Sequence, residues 1–537
     1  MNSKILTVRE ATLGVLRDFG VDRVFGNPGS TELAFLHDWP DDIDYVLGLQ
    51  EACVVGMADG YAQATGRPAF VNLHSAAGLG HALGNLFTAF RNRSPLVVTA
   101  GQQARSILRL RPYLYAEDAA QFPKPYVKWS AEPARPEDVP AAMVQAFLIA
   151  MQHPRGPTFV SVPSDDWARP ATRPAIRNIA TEFAPDPAAV VRLAEAVRVA
   201  RRPVFVVGPE VDRTGCVERM VVLAERARAA VWASPMSSRS SFPERHALFA
   251  GFLPASPSGL ARALHDADQI VVFGAPVFTF HVEGQCEVLD GATPIWQITD
   301  DPIEAASAPV GESIIGTLPK ALAELLEALP EVADRALPPT RRSPSIPPAA
   351  DPIPPAYALS RLSTLLPQDA IVVEEAPSHR LAIQQFLPMR GADSFYTMAS
   401  GGLGYSLPAS VGVALARPSR RIVCLIGDGS AMYCIQAIWT AAQRGLPITF
   451  VVMNNSGCGA MRAFSRIMQA HRPPGIDLPG IDFVSLATGL GCPARRVTEV
   501  GHLDEILGEA LAANGPALVD IMVDDATTDL FGPGHRS

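Results

Sequence analysis

Apolar residues along this chain fall into two rhythms. Short continuous runs come first at Arg23-Val-Phe-Gly26, Ala69-Phe-Val-Asn-Leu73, Leu96-Val-Val-Thr-Ala100 and Thr158-Phe-Val-Ser-Val162. They return at Val204–Val207, Gln269–Phe273, Ala370–Val373, Ile422–Ile426, Ile448–Met453 and Leu518–Val523. Between them, apolar positions recur at helical spacing: Val54, Val55, Ala58 and Ala62 after Glu51, and Ile435, Ile438, Trp439 and Ala442 after Ser430. Gly66 with Pro68, and Gly445 with Pro447, supply the stop signals of those two helices. Continuous apolar strands are buried on both faces, and strands separated by helices pair in parallel. The pattern predicts an α/β protein of doubly wound parallel sheets.

Two proline-rich zones divide it. Arg169 to Pro187 lacks periodicity, and Pro338 to Pro355 holds eight prolines in eighteen residues, a stiff connector. Three domains are expected, at 1–180, 185–335 and 356–537, with a linker at 336–355. A chain of 537 residues exceeds the size at which single cores stop growing, so each domain can bury its own core.

Composition narrows the function classes. The chain is 48% hydrophobic and 18% charged, and no apolar run approaches the roughly 18 residues of a membrane span. Met1 to Glu10 shows no secretory signal. Seven scattered cysteines without a Cys-x-x-Cys pair argue for a reducing, cytoplasmic setting without disulfide framework or zinc site. A net charge of -9 gives no electrostatic reason to expect nucleic acid. Neither nucleic acid nor membrane is an expected partner; small-molecule chemistry is.

In open parallel sheets, ligands sit beyond the carboxyl ends of strands. Two consecutive strand ends carry Ile426-Gly-Asp-Gly-Ser430 and Asn454-Asn-Ser-Gly-Cys-Gly459. Asp428, the Asn455 amide oxygen and the Gly457 carbonyl are hard oxygen ligands suited to Mg²⁺ or Ca²⁺. Gly427, Gly429, Gly457 and Gly459 would let backbone approach a diphosphate, with a helix near Ser430 aimed at it. The competing explanation is a pair of tight turns, which Asp-Gly and Asn-Ser-Gly also form.

Four other residues have two explanations each. Glu51 could complement its helix N-terminus, worth about 0.3–1 kcal/mol, or hold a ligand there. Ser30 follows Asn27-Pro-Gly as a capping serine would. His74 ends the run Ala69–Leu73 among small residues, and His281 closes Gly274-Ala-Pro-Val-Phe-Thr-Phe-His281 after another strand. Each histidine is either a satisfied structural imidazole or a group for moving protons near neutrality.

Gly427-Asp-Gly429 through Asn454-Asn455 resembles the metal and diphosphate motif of the thiamine-diphosphate-dependent decarboxylases and synthases. Val24-Phe-Gly-Asn-Pro-Gly-Ser-Thr-Glu32, Leu49-Gln-Glu-Ala-Cys-Val-Val55, Ala58-Asp-Gly-Tyr-Ala62 and Asn72-Leu-His-Ser-Ala-Ala-Gly78 resemble the benzoylformate decarboxylases within it, over nearly the whole chain. The resemblance implies pyrimidine-binding, central and diphosphate-binding domains, in that order. It implies thiamine diphosphate with Mg²⁺ or Ca²⁺ held by Asp428, Asn455 and Gly457. Ser378, Gly402, Leu403, Gly427, Gly429, Ser430 and Cys458 would complete the cofactor site, Leu403 propping its bent shape.

By the same resemblance Glu51 bonds the aminopyrimidine ring, Ser30 faces the substrate carboxylate, and His74 with His281 moves protons. Thr397 and Phe464 would join the substrate pocket. The expected reaction is non-oxidative decarboxylation of a 2-oxo acid, benzoylformate or another aryl analogue, to an aldehyde and carbon dioxide. The alternatives are an acetolactate-synthase-type carboligase and a non-catalytic cofactor-binding relative. A homo-oligomer is implied, at least a dimer, with a tetramer expected.

The match has departures. Glu374-Glu-Ala-Pro-Ser-His379 replaces a threonine- and serine-rich loop, and Pro377 has no backbone donor to offer a phosphate. Thr397 stands where an aromatic residue is usual, Arg109, Arg111 and Tyr113 make the loop after Gln103 more basic and aromatic, and Asn455-Ser-Gly-Cys458 differs in the ligand loop.

Overall fold

A computed structural model describes residues 5–525, so the outermost ends of the first and third expected domains, 1–4 and 526–537, lie outside the described residues. Three parallel six-stranded sheets follow one another along the chain. The first contains β1 (Arg23–Gly26), β2 (Asp44–Leu47), β3 (Ala69–Leu73), β4 (Leu96–Gln102), β5 (Trp129–Ala131) and β6 (Thr158–Pro163), in the order β2-β1-β3-β4-β6-β5. The central sheet contains β7 (Pro203–Val207), β8 (Ala230–Ala233), β9 (Phe249–Phe252), β10 (Gln269–Phe273), β11 (Ile295–Thr299) and β12 (Glu312–Ile315), ordered β9-β8-β7-β10-β11-β12. The third contains β13 (Ile371–Glu375), β14 (Phe395–Thr397), β15 (Ile422–Gly427), β16 (Ile448–Asn454), β17 (Ala494–Val497) and β18 (Ala517–Met522), ordered β14-β13-β15-β16-β18-β17.

The first and third sheets therefore have the same topology. His74, after β3, and Asp428, after β15, occupy equivalent strand ends, and the helix Glu51–Thr65 is the counterpart of Ser406–Ala416. These two helices pack on each other through glycines. A Cβ on Gly60 would lie 2.3 Å from the Ala409 carbonyl oxygen, and one on Gly56 2.5 Å from the Pro408 ring. One continuous apolar core runs from Phe25 and Cys53 through this seam to Tyr396, Ala409 and Ile426. The central sheet carries separate cores on its two faces, around Phe205 with Phe273 and around Val206 with Ile270.

The ten expected strands are all present, and the helix after Glu51 ends as expected at Gly66, whose φ of +68° is left-handed. The expected helix after Ser430 is different. A four-residue turn, Asp428–Ala431, stops at Met432, and a second helix runs only from Ala437 to Gln443. The intervening Cys434 turns inward against the first domain, where Asn85 Nδ2 lies 3.8 Å from its sulfur and Cys53 Sγ lies 3.7 Å from its carbonyl. Packing between domains thus breaks a helix that local spacing favours. The proline-rich stretch 338–350 has no regular structure, and Arg341 from it lies over the Phe249 and Phe252 rings. Among the described residues no helix is long and apolar enough to cross a membrane.

Candidate active site

The first cluster is built where the chain leaves β1, β2 and β3. Gln50 caps the helix at Glu51 by accepting from the Cys53 amide, which leaves the Glu51 carboxylate to bond outward. Asn27 Nδ2 donates to it at 3.2 Å and His81 Nδ1 lies 3.2 Å away. His74 stands at the N-terminal boundary of the helix Ser75–Arg91 without a side-chain capping bond, and the next residue, Ser75, has a left-handed φ of +47°, a conformation non-glycine residues adopt at some cost. Gly78, one turn into that helix, faces both groups: a Cβ there would lie 3.1 Å from Glu51 Oε1 and 3.4 Å from His74 Cβ. Glu51 and His74, 23 residues apart, are thereby neighbours. Ser30 is exposed on the loop that also carries Asn27 and the buried Glu32.

The second cluster lies at the ends of β15 and β16. Asp428 is 3% exposed, its carboxylate accepting the amides of Gly429 at 2.9 Å and Gly457 at 2.8 Å. Burial raises its pKa, an effect those two amides partly offset. Among the described residues it makes no ion pair. Asn455 is buried beside it. Gly459 brings Ser378 to the same place, since a Cβ on it would fall 2.9 Å from Asn455 Nδ2 and 3.0 Å from Ser378 Oγ. Ser378 in turn accepts from the Ala460 amide at 2.9 Å. Cys458 is partly buried near Gly429, and burial raises its thiol pKa. The Gly457 carbonyl accepts from the Gly459 amide at 3.2 Å.

A buried carboxylate without a cationic partner, an adjacent amide side chain and glycine-lined backbone are a donor set that fits a divalent cation and phosphate oxygens. A different grouping, His153 with Glu210 and Asp300, also brings three ligand types together. There His153 Nδ1 is 2.5 Å from Asp300, Arg93 pairs with Asp300 at 2.8 Å and Arg213 pairs with Glu210. Guanidinium groups already neutralise those carboxylates, which makes it an ion network tying the first domain to the central one.

The loop carrying Gly402 and Leu403 is held from below. Glu375, fully buried at the end of β13, accepts the amides of Gly404, Tyr405 and Ser406, each at 2.7 Å. Burial pushes its carboxyl up to about 7. Ser400 Oγ accepts from the Gly402 amide at 2.9 Å and meets Thr88 of the first domain at 2.8 Å. Phe464, on the helix Gly459–Ile467, packs edge-on against the exposed His281, their ring centroids 4.7 Å apart.

Thr397 is elsewhere than expected. It is wholly buried in edge strand β14, where its hydroxyl donates to the Glu374 carbonyl at 2.8 Å and its amide to the Ser238 carbonyl of the central domain at 3.0 Å. A short side chain fits that seam, so Thr397 serves the sheet edge and not an open pocket. Three residues around the first cluster were not predicted: Asn27, Glu32 and His81. His81 follows His74 by seven residues, two helical turns, which was the available signal.

Family models match the three regions in order: the N-terminal thiamine pyrophosphate binding domain at residues 6–121, the central domain at 190–325 and the C-terminal binding domain at 376–521. The benzoylformate decarboxylase of Pseudomonas aeruginosa is 44% identical over 522 residues, covering 96% of this chain and 98% of its own. The solved structure of a thiamine-diphosphate-dependent 4-hydroxybenzoylformate decarboxylase from Rhodococcus jostii is 41% identical with a TM-score of 0.93, covering 97% of this chain and 100% of that one. Benzoylformate decarboxylase from Polynucleobacter necessarius, also solved, is 38% identical with a TM-score of 0.93, over 97% and 99% of the two chains. Acetolactate synthase large subunits match at lower identity. Matched over 96% of its length and by family models in all three regions, the chain belongs to the thiamine pyrophosphate enzyme family.

Proposed function

We propose that this protein decarboxylates an aryl 2-oxo acid, benzoylformate or a close analogue, releasing the aldehyde and carbon dioxide without oxidation. The observation that carries this reading is the pairing of Glu51 with His74 across Gly78. A carboxylate and a histidine that sequence separates are brought to one helix turn at the strand ends, where ligands of parallel sheets bind.

When bound, thiamine diphosphate supplies the nucleophilic carbon and the electron sink that loss of carbon dioxide requires. The chain's residues bind and steer. Asp428, Asn455 and the Gly457 carbonyl hold the divalent cation, while Ser378 and the backbone of Gly427, Gly429, Ser430 and Cys458 hold the diphosphate. Gly402 and Leu403, stiffened by Glu375, set the cofactor's shape. Glu51 takes the aminopyrimidine ring and controls its proton, its own orientation set by Asn27 and His81. Ser30 receives the substrate carboxylate. His74 and His281 deliver and remove protons, and Phe464 lines the aryl pocket beside His281.

A homo-oligomer follows from the same reading. Asp428, His281 and Phe464 belong to the third and central domains, and Glu51 and His74 to the first. Large apolar residues stand exposed beside both clusters: Leu49 by the first, Tyr433 and Met461 by the second. A second copy of the chain would cover them and bring one copy's first domain to the other's diphosphate cradle, so a dimer is the minimum and a tetramer is expected. Light scattering on the holoenzyme measures this.

The test of function is a panel of 2-oxo acids supplied with Mg²⁺ and thiamine diphosphate. Benzaldehyde and carbon dioxide in equal amounts from benzoylformate are the expected products. Acyloins as the main product would replace this reading with a carboligase, and cofactor binding without turnover would replace it with a non-catalytic relative.

A further inference from the structure

We propose that Glu32 is a positioning residue for His74, fixing the ring so that Nε2 carries the exchangeable proton. This rests on the role proposed for His74 in catalysis.

Glu32 is 1% exposed on the loop after β1. Its carboxylate is surrounded by donors: the Gly29 amide at 3.1 Å, the Gly101 amide at 3.0 Å and the Thr31 hydroxyl at 2.6 Å. His74 Nδ1 lies 2.9 Å from Oε2. Both carboxylate oxygens of Glu32 are thus placed as acceptors, Oε1 for the Gly101 amide and the Thr31 hydroxyl and Oε2 for the Gly29 amide. Nδ1 must therefore donate.

Thr31 fits the same polarity. Its only proton goes to Glu32, so its oxygen, 3.2 Å from His74 Nδ1, can only accept there. With Nδ1 committed to both acceptors, Nε2 is left to gain and lose the proton.

Two glycines make room for this arrangement. A Cβ at 29 would stand 2.0 Å from His74 Nδ1, and one at 101 would stand 2.3 Å from Glu32 Oε1 and 2.4 Å from Thr31 Oγ1. The ring thus lies directly on the Gly29 backbone, and neither a rotated imidazole nor a displaced carboxylate has free space. The other titratable groups facing the pair are Glu51, across Gly78, and the partly buried Tyr45, whose phenol pKa is raised by burial and by the Glu32 charge. Neither offers Nδ1 an alternative anchor. A carboxylate that orients an imidazole acts through it and gives little on its own; the arrangement parallels hydrolytic triads, where replacing the acid by its amide holds the wrong tautomer.

The experiment compares E32Q, E32D, H74A and the E32Q/H74A double variant as holoenzymes with Mg²⁺, thiamine diphosphate and benzoylformate. H74A is expected to lower kcat roughly 10²- to 10⁴-fold. E32Q, whose amide can donate to Nδ1, is expected to lower it roughly 10- to 10³-fold and to alter the pH profile of kcat. E32D, keeping the charge on a shorter arm, should recover part of that loss. Cofactor affinity should stay within about threefold of the parent, which a general structural defect would not allow. The double variant should be no slower than H74A, since the two residues act as one unit.

Wild-type turnover by E32Q beside a slow H74A overturns the role of Glu32 and leaves that of His74. A double variant slower than H74A by the full E32Q factor also overturns it, since Glu32 would then act without the histidine. Wild-type turnover by H74A overturns the role of His74 itself, and that of Glu32 with it. If E32Q does not fold, the same cycle with E32D and E32D/H74A separates the same outcomes.

Discussion

Gly412 of the third domain lies backbone to backbone with Met57 of the first: a Cβ on Gly412 would sit 1.9 Å from the Met57 carbonyl oxygen and 2.6 Å from the Tyr61 amide nitrogen. The helix that starts with Glu51 and the helix that follows Leu403 are therefore spaced by a hydrogen atom, and the distance between their starting loops depends on it.

Gly412→Ala is the first prediction. The helices must move apart, and overpacking of this kind costs about 1–3 kcal/mol or more. Calorimetry should show a lowered Tm, and turnover should fall with it because Glu51 and Leu403 shift together. An unchanged Tm would mean the seam is looser than the contact implies.

Gly78→Ala tests the pairing of Glu51 and His74. The new methyl would press on Glu51 Oε1 from 3.1 Å, tighter than ordinary van der Waals contact. Small displacements at a reacting centre are costly, up to about 10²-fold for 1 Å, so kcat should fall measurably while secondary structure by circular dichroism stays the same. Gly78→Val should be worse than Gly78→Ala.

Asp428→Ala should abolish Mg²⁺-dependent binding of thiamine diphosphate. A fluorescence titration with and without Mg²⁺ measures it. Retained metal-dependent binding would remove Asp428 from the ligand set.

Burial predicts a pH dependence of stability. Glu375 has a folded pKa of about 7 against an ordinary 4.5, so its neutral form favours folding and that contribution is lost as pH rises from 4.5 toward 7. Asp59, raised from 3.8 to about 6, acts in the same direction. His379, lowered from 6.5 to about 4, acts oppositely, its contribution lost as pH falls between those values. Glu375→Gln has one oxygen for three amides, so it should be less stable throughout, with a shallower decline between about pH 5 and 7 in a Tm series. A parallel decline in both proteins would exclude Glu375 as a source.

How much of this was legible along the chain depended on burial. Strands such as Ala69–Leu73 and Ile448–Asn454 are buried at every position and read as predominantly apolar runs. The strands missed in the first and third sheets are their edges, Asp44–Leu47, Trp129–Ala131, Phe395–Thr397 and Ala494–Val497. An edge has only one strand neighbour, so it tolerates residues such as Asp44, Arg495 and Arg496, and the apolar signal is diluted. In the central sheet Ile295–Thr299 is fully buried yet was missed; it holds Gln297, which donates to the Ala275 carbonyl at 2.9 Å.

The sequence by itself determined the α/β class, ten of the twelve inner strands and the motifs at their ends, because each is a local matter of apolar continuity, glycine and a polar residue in the next loop. Tertiary structure decided what those motifs touch. It set Glu51 against Asn27 and His81, put Glu32 beneath His74, withdrew Thr397 into a domain seam and broke the helix after Ala431 so that Cys434 could pack inward. Such contacts join residues tens to hundreds of positions apart. Their geometry follows from how the first and third sheets, equal in topology, close on each other through Gly56, Gly60 and Gly412, and spacing along the chain carries no record of that distance.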